Sequence, residues 1–214
     1  MKHILCYGDS NTFGYDAERD SRFPLHIRWT GRLQELLGEE YRIIEEGMGG
    51  RTAIKDDPVE NLMSGKNYLL PCLESHWPLD LVVIMLGTND LKTRFGLLSA
   101  EEIALGAEEL IRMVIIFFRQ KNMRIPEILL VSPIQMGERF EENPYSIHMG
   151  GQEAVRRSAE FAACYKEAAK RQGCGFLAAS DWAEAGKTDG MHLDEEGHKR
   201  LAEAVYMKIL DMLT

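Results

Sequence analysis

The chain has 214 residues, 45% hydrophobic and 28% charged, with 19 glycines against 7 prolines; this excludes collagen-like or low-complexity architecture and suffices for one domain, residues 1–214, with no structural metal or disulfide. A formal net charge of -9 excludes unspecific attraction to nucleic-acid phosphates, which needs clustered Lys and Arg. Cys6, Cys72, Cys164 and Cys174 are scattered without a C-x-x-C pair, and neither a signal-peptide core nor about 20 consecutive apolar residues is found, so reduced cysteines, a cytoplasmic location and no membrane partner are expected.

In chain order, residues 4–7 form the first short apolar run with β-branched character, followed by a helical pattern over 29–37 in which Trp29, Leu33, Leu36 and Leu37 have the spacing of a core stripe. A second strand is expected at 41–44, a helix over 59–73, and a third strand at 81–86. The third run, LVVIML, is apolar throughout, as a mid-sheet strand buried on both faces requires. Helix 100–120, strand 128–131, helix 152–172, the weaker strand 175–178 and helix 195–213 complete the alternation. The pattern predicts an α/β fold, a three-layer α/β/α sandwich of flavodoxin-like type with a five-stranded parallel sheet in the order 2-1-3-4-5. Stretches 16–28 and 134–151 are long for connections and stand as candidate pocket walls or plain surface loops.

Ligands of such sheets bind beyond the carboxyl ends of the strands, so the residues that follow each apolar run carry the information. They are Gly8-Asp9-Ser10-Asn11-Thr12, Gly47-Met48-Gly49-Gly50-Arg51-Thr52, Gly87-Thr88-Asn89-Asp90 and Asp189-Gly190-Met191-His192. Together they hold the parts of an acyl-transfer site. A serine hydroxyl needs a base to take its proton, and the base needs a third group to fix its tautomer. Ser10 is the candidate nucleophile, His192 the base and Asp189 its orienting carboxylate, three residues away in a glycine-containing loop. The backbone N–H groups of Ser10 and Gly50 and the amide of Asn89 are the candidate oxyanion donors.

These blocks, in this order, resemble the GDSL/SGNH hydrolase family along the whole chain: GDS at 8–10, Gly50, GTND at 87–90 and DGMH at 189–192. The likeness narrows to the bacterial arylesterase and acyltransferase branch at GDSNTFG, RWTGRL, EEGMGGRT, DDP, YLLPCLESHWPLDLVVIMLGTND and DGMHLDEEGH. The resemblance implies a serine esterase for short acyl esters, aryl acetates among them, with acyl transfer to alcohols as a side activity, no cofactor, no metal, a small-molecule ester as partner and homo-oligomeric assembly. Phe13 stands where that branch often has Trp. Asn11, Phe13, Tyr15, Phe95, Phe140 and Tyr145 are the candidate pocket residues. A carbohydrate O-acetyl esterase is the alternative within the same chemistry, and a non-catalytic small-molecule binding module the alternative outside it.

Each residue also has a plain structural reading. Ser10 could be a helix N-cap, Asn89 or Asp90 could cap the next element, and Gly50 could be a turn glycine. His192 and His198 with Asp189 and Asp194 could be called a metal cluster, but a histidine pair six apart is not a helical ligand pair. Gly47-Met48-Gly49-Gly50 lacks the third glycine of a dinucleotide fingerprint, Asp181 replaces the first glycine of a P-loop ending at Thr188, and Thr12 breaks a G-x-S-x-G elbow. It is the joint order of the four blocks that favours acyl transfer.

Overall fold

The computed structural model describes residues 1–213. Strand β1 (Lys2–Gly8) runs into a one-turn helix α1 (Ser10–Phe13) and a small ribbon, β2 (Tyr15–Asp16) with β3 (Ser21–Arg22). The chain continues through α2 (Trp29–Leu37), β4 (Tyr41–Gly47), α3 (Gly65–His76), β5 (Leu81–Met85), α4 (Ala100–Gln120) and β6 (Glu127–Ser132). It then forms α5 (Ser146–Met149), α6 (Gln152–Ala159), α7 (Phe161–Gln172), β7 (Gly175–Ala178) and α8 (Glu195–Leu213). The long strands make one parallel sheet in the order β4-β1-β5-β6-β7, which is the expected 2-1-3-4-5.

Period-two alternation divides the core. Leu5 and Tyr7 of β1 and Val82 and Ile84 of β5 face one layer, where Leu69 of α3, Leu110 and Phe118 of α4 and Tyr165 of α7 cover them. Ile4, Cys6, Leu81 and Val83 face the other, against Trp29 and Leu33 of α2 and Leu201, Val205 and Ile209 of α8. The helix caps are local: Ser99 and Glu102 form a reciprocal capping box at the start of α4. No helix among the described residues is long and apolar enough to cross a membrane.

Three expectations are corrected. The helix expected over 59–73 begins at Gly65, because the Asp57 carboxylate accepts the N–H groups of Val59 and Glu60 and the Asp57–Leu62 backbone pair closes a tight loop first; Ser64 then caps α3. The expected helix 152–172 is broken at Glu160, two residues after Ser158, whose hydroxyl bonds back to Val155 O at 2.8 Å and accepts the Met136 N–H at 3.0 Å. Leu36, placed in the core stripe of α2, is 43% exposed while Trp29, Leu33 and Leu37 are buried.

Candidate active site

At the carboxyl end of β1 the chain turns directly into α1, and the cap of that helix is Asp9, whose carboxylate accepts the Asn11 N–H at 3.0 Å. Ser10 is therefore not the capping residue. Its hydroxyl lies 2.8 Å from Nε2 of His192, and Nδ1 of the same ring lies 2.5 Å from Oδ2 of Asp189. The second carboxylate oxygen, Oδ1, accepts the backbone N–H groups of Met191 and His192, both at 2.9 Å. Burial alone would raise the Asp189 pKa, but the hydrogen bonds from the His192 ring and from these two N–H groups outweigh it and hold the carboxyl below its ordinary value. An ionised Asp189 bonded to Nδ1–H leaves Nε2 as the acceptor facing Ser10.

Ser10, His192 and Asp189 open on a cleft of about 640 Å³, with Gly49, Gly50 and Asn89 on its wall. Gly50 has φ +75°, a conformation strained for any residue with a side chain, and a Cβ there would also press on Leu62 Cδ1 at 2.4 Å, so glycine is favoured. Asn89 sits in the short helical turn after β5.

Residues 6–200 match the model of the GDSL-like Lipase/Acylhydrolase family. The chain belongs to this family. It is an esterase-type hydrolase, similar to solved members over its whole length. The native M. smegmatis aryl esterase is 33% identical, with 100% of both chains covered and a TM-score of 0.91. Est24, a carbohydrate acetylesterase from Sinorhizobium meliloti, is 35% identical, with 100% of both chains covered and a TM-score of 0.91. Comparison with curated protein sequences gives no match.

The remaining pocket candidates of this hydrolase separate into those in the cleft and those outside it. Tyr15 lines it, with its ring centroid 4.7 Å from that of His192, and so does Tyr145. Phe140 does not: it is fully buried beneath Gly190, where a Cβ would meet Phe140 N at 2.7 Å. Phe13 is turned to the β3 side, with the Arg22 guanidinium 4.1 Å from its ring centroid, and Phe95 is not on the cleft wall. Asn11 is buried rather than lining. Its Oδ1 accepts the Leu193 N–H at 2.9 Å and its amide donates to Met191 O at 3.4 Å, so it grips the chain on both sides of His192.

Several cleft residues escaped the sequence. Stretches 16–28 and 134–151 do supply walls, but through Ala17, Arg139, Asn143 and Pro144 rather than through Phe140. Lys187 and Thr188, dismissed with the P-loop imitation, lie at the rim beside Asp189. Glu60 reaches the cleft from a segment expected to be helical. Arg51 donates from Nη1 to Gly8 O at 2.9 Å and to Glu46 O at 2.5 Å, tying the end of β1 to the Gly50 loop.

Two buried carboxyls lie under the site. Burial pushes Asp9 up to about 6 and Asp90 up to about 7, with Asp90 accepting the Ala53 N–H at 2.8 Å. His198 does not join His192 in a cluster; it is buried where α8 meets the start of α2, accepts the Trp29 N–H at 3.2 Å, and burial brings its pKa down to about 3. Among the described residues, the group that could hold a metal is Glu46, Cys72 and His76, with ligand atoms within 4.8 Å of one another. It lies outside the cleft, the Glu46 carboxylate is already 2.9 Å from His76 Nε2, and burial pushes the Cys72 thiol up to about 12.

Proposed function

We propose that this hydrolase cleaves short-chain acyl esters, of aryl or alkyl alcohols, through a Ser10-His192-Asp189 triad and an acyl-enzyme. The observation that carries the reading is the relay from Ser10 Oγ to His192 Nε2 at 2.8 Å and from His192 Nδ1 to Asp189 Oδ2 at 2.5 Å, opening on the cleft. Ser10 Oγ attacks the ester carbonyl as its proton passes to Nε2. Asp189 keeps Nδ1 protonated and balances the imidazolium. The N–H groups of Ser10 and Gly50 and the amide of Asn89 receive the oxyanion, a contribution of about 10²–10³ in turnover for each donor. His192 then returns the proton to the departing alcohol, and a water deprotonated by the same nitrogen releases the acid. An alcohol in place of that water gives acyl transfer.

A second reading, carbohydrate O-acetyl ester hydrolysis, is favoured by the polar rim of Glu60, Arg139, Asn143, Lys187 and Thr188 and by the likeness to the Sinorhizobium acetylesterase. Product analysis on acetylated sugars separates the two. The homo-oligomer implied by resemblance is checked by sedimentation velocity.

The deciding experiment is hydrolysis of p-nitrophenyl esters from acetate to octanoate by the wild type, Ser10→Ala and His192→Ala, with fold matched by circular dichroism. Acetate should be preferred, and each variant should lose about 10⁴–10⁶ in turnover. Equal, slow rates in all three, with no labelling of Ser10 by a serine-directed phosphonate, would leave a binding module instead.

A further inference from the structure

We propose that Lys92 is a positioning residue for ester hydrolysis: its buried ammonium clamps the loop that carries Gly50 to the turn that carries Asn89, and so fixes two oxyanion donors relative to each other. The inference rests on the proposed function and names a residue which that reading does not use.

The side chain of Lys92 is wholly buried, which is costly for an ammonium unless its donors are matched. Nζ lies 2.9 Å from Asp57 Oδ2, 2.9 Å from Glu60 Oε2 and 3.5 Å from Gly50 O, one acceptor for each N–H. The two carboxylates do not depend on Lys92 alone. Arg94 Nη1 reaches both oxygens of Asp57, at 3.0 and 3.2 Å, and the Tyr145 hydroxyl donates to Glu60 Oε1 at 2.6 Å.

The Gly50 carbonyl is different. Lys92 is the one hydrogen-bond donor it has among the described residues, and at 3.5 Å the contact acts as much by charge on dipole as by a directed bond. The Gly50 carbonyl belongs to the 50–51 peptide plane and the Gly50 N–H to the 49–50 plane, so Lys92 does not orient that N–H directly; it anchors the peptide that follows a glycine at φ +75° and, with the packing of Glu60 and Leu62 around it, limits how far the loop carrying the N–H can shift. At the other end, the Lys92 N–H donates to Asn89 O at 3.3 Å, which links the clamp to the turn that presents the Asn89 amide. One cation thus joins the loop after β4, the 57–62 loop and the turn after β5. An oxyanion hole assembled from separate loops works only when its donors are held in place before charge develops.

The test compares Lys92→Met, Lys92→Arg and the double variant Lys92→Met/Asp57→Asn with the wild type. The readouts are turnover and KM for p-nitrophenyl acetate and inhibition by a boronic acid that forms a tetrahedral adduct on Ser10. Lys92→Met should lower kcat about 10–100-fold, short of the loss of a donor itself, with KM within about twofold and boronate affinity weakened in proportion. Lys92→Arg should recover part of the loss. If the single Met variant does not fold, the double variant, which removes the buried charge together with a partner, carries the comparison. A folded variant with a lower melting temperature but wild-type kcat and boronate affinity overturns the proposal and leaves Lys92 a stabilising group only. Turnover that survives Ser10→Ala would sink the serine-esterase reading and this inference with it, whereas Ser10-dependent turnover indifferent to Lys92 sinks this inference alone.

Discussion

Asp189→Asn tests the relay at the atom where its logic is concentrated. In the wild type, Oδ1 accepts two backbone N–H groups, from Met191 and His192, at 2.9 Å each, while Oδ2 faces His192 Nδ1 at 2.5 Å. Asparagine has one oxygen for these two jobs. With the oxygen on the backbone pair, its NH₂ faces Nδ1, which must become an acceptor; the ring proton moves to Nε2, and His192 then donates to Ser10 instead of receiving its proton. With the amide flipped, Nδ1–H keeps its acceptor but two backbone donors face an NH₂. The first arrangement keeps three hydrogen bonds of about 1 kcal/mol each and the second only one, and stranding buried donors adds about 1–3 kcal/mol, so the unproductive tautomer dominates. Turnover of p-nitrophenyl acetate at neutral pH should fall by about 10⁴, with the circular dichroism spectrum unchanged. A loss below tenfold in a folded variant would show that the carboxylate does not set the tautomer.

Three further outcomes follow from the same geometry. Asn89→Ala should lower kcat by about 10²–10³ with little change in KM, and an effect confined to KM would remove Asn89 from the oxyanion site. Asn11→Ala leaves the Leu193 N–H and Met191 O without their side-chain partner, so urea unfolding should show a loss of about 1–3 kcal/mol; no loss would mean that water replaces the amide without penalty. Asp90, pushed up to about 7 by burial, holds a proton in the native state that the unfolded chain releases above about pH 4, so its contribution is complete at acid pH and is lost as pH rises towards 7. Asp90→Asn should therefore gain on the wild type by roughly 2–4 kcal/mol between pH 5 and pH 8. His198, brought down to about 3, has the opposite sign but is common to both proteins. Parallel stability curves would refute the assignment.

How much of this was legible beforehand varies by element for physical reasons. The bounds of α4, at 100–120, and α8, at 195–213, follow from apolar residues spaced three and four apart, a periodicity that the sequence states directly. The five strands of the parallel sheet were legible as short apolar runs alternating with helical patterns, the uniform run 81–86 marking a mid-sheet strand, whereas their order came from the fold type that this alternation implies. Ser10, Asn89, Asp189 and His192 stood out because polar residues after buried strands need a purpose, and the fold places all four on one cleft.

What the sequence left open was settled by contacts between segments far apart. Phe140 and Tyr145 are both aromatic and five residues apart, yet one lies under Gly190 and the other on the cleft, because the turn around Gly190 comes down on Phe140 alone. The Asp57 carboxylate stopped a helix that propensity favoured, by offering its backbone neighbours another acceptor. Asn11 reads as a pocket residue and Lys92 as an ordinary loop residue until Met191 and Leu193 arrive against the first, and Gly50, Asp57 and Glu60 against the second. Local spacing determines which residues share a helix or strand face. Which buried polar atom meets which partner is decided only when the whole chain has closed, because a hydrogen bond across many residues leaves no periodic trace in the sequence.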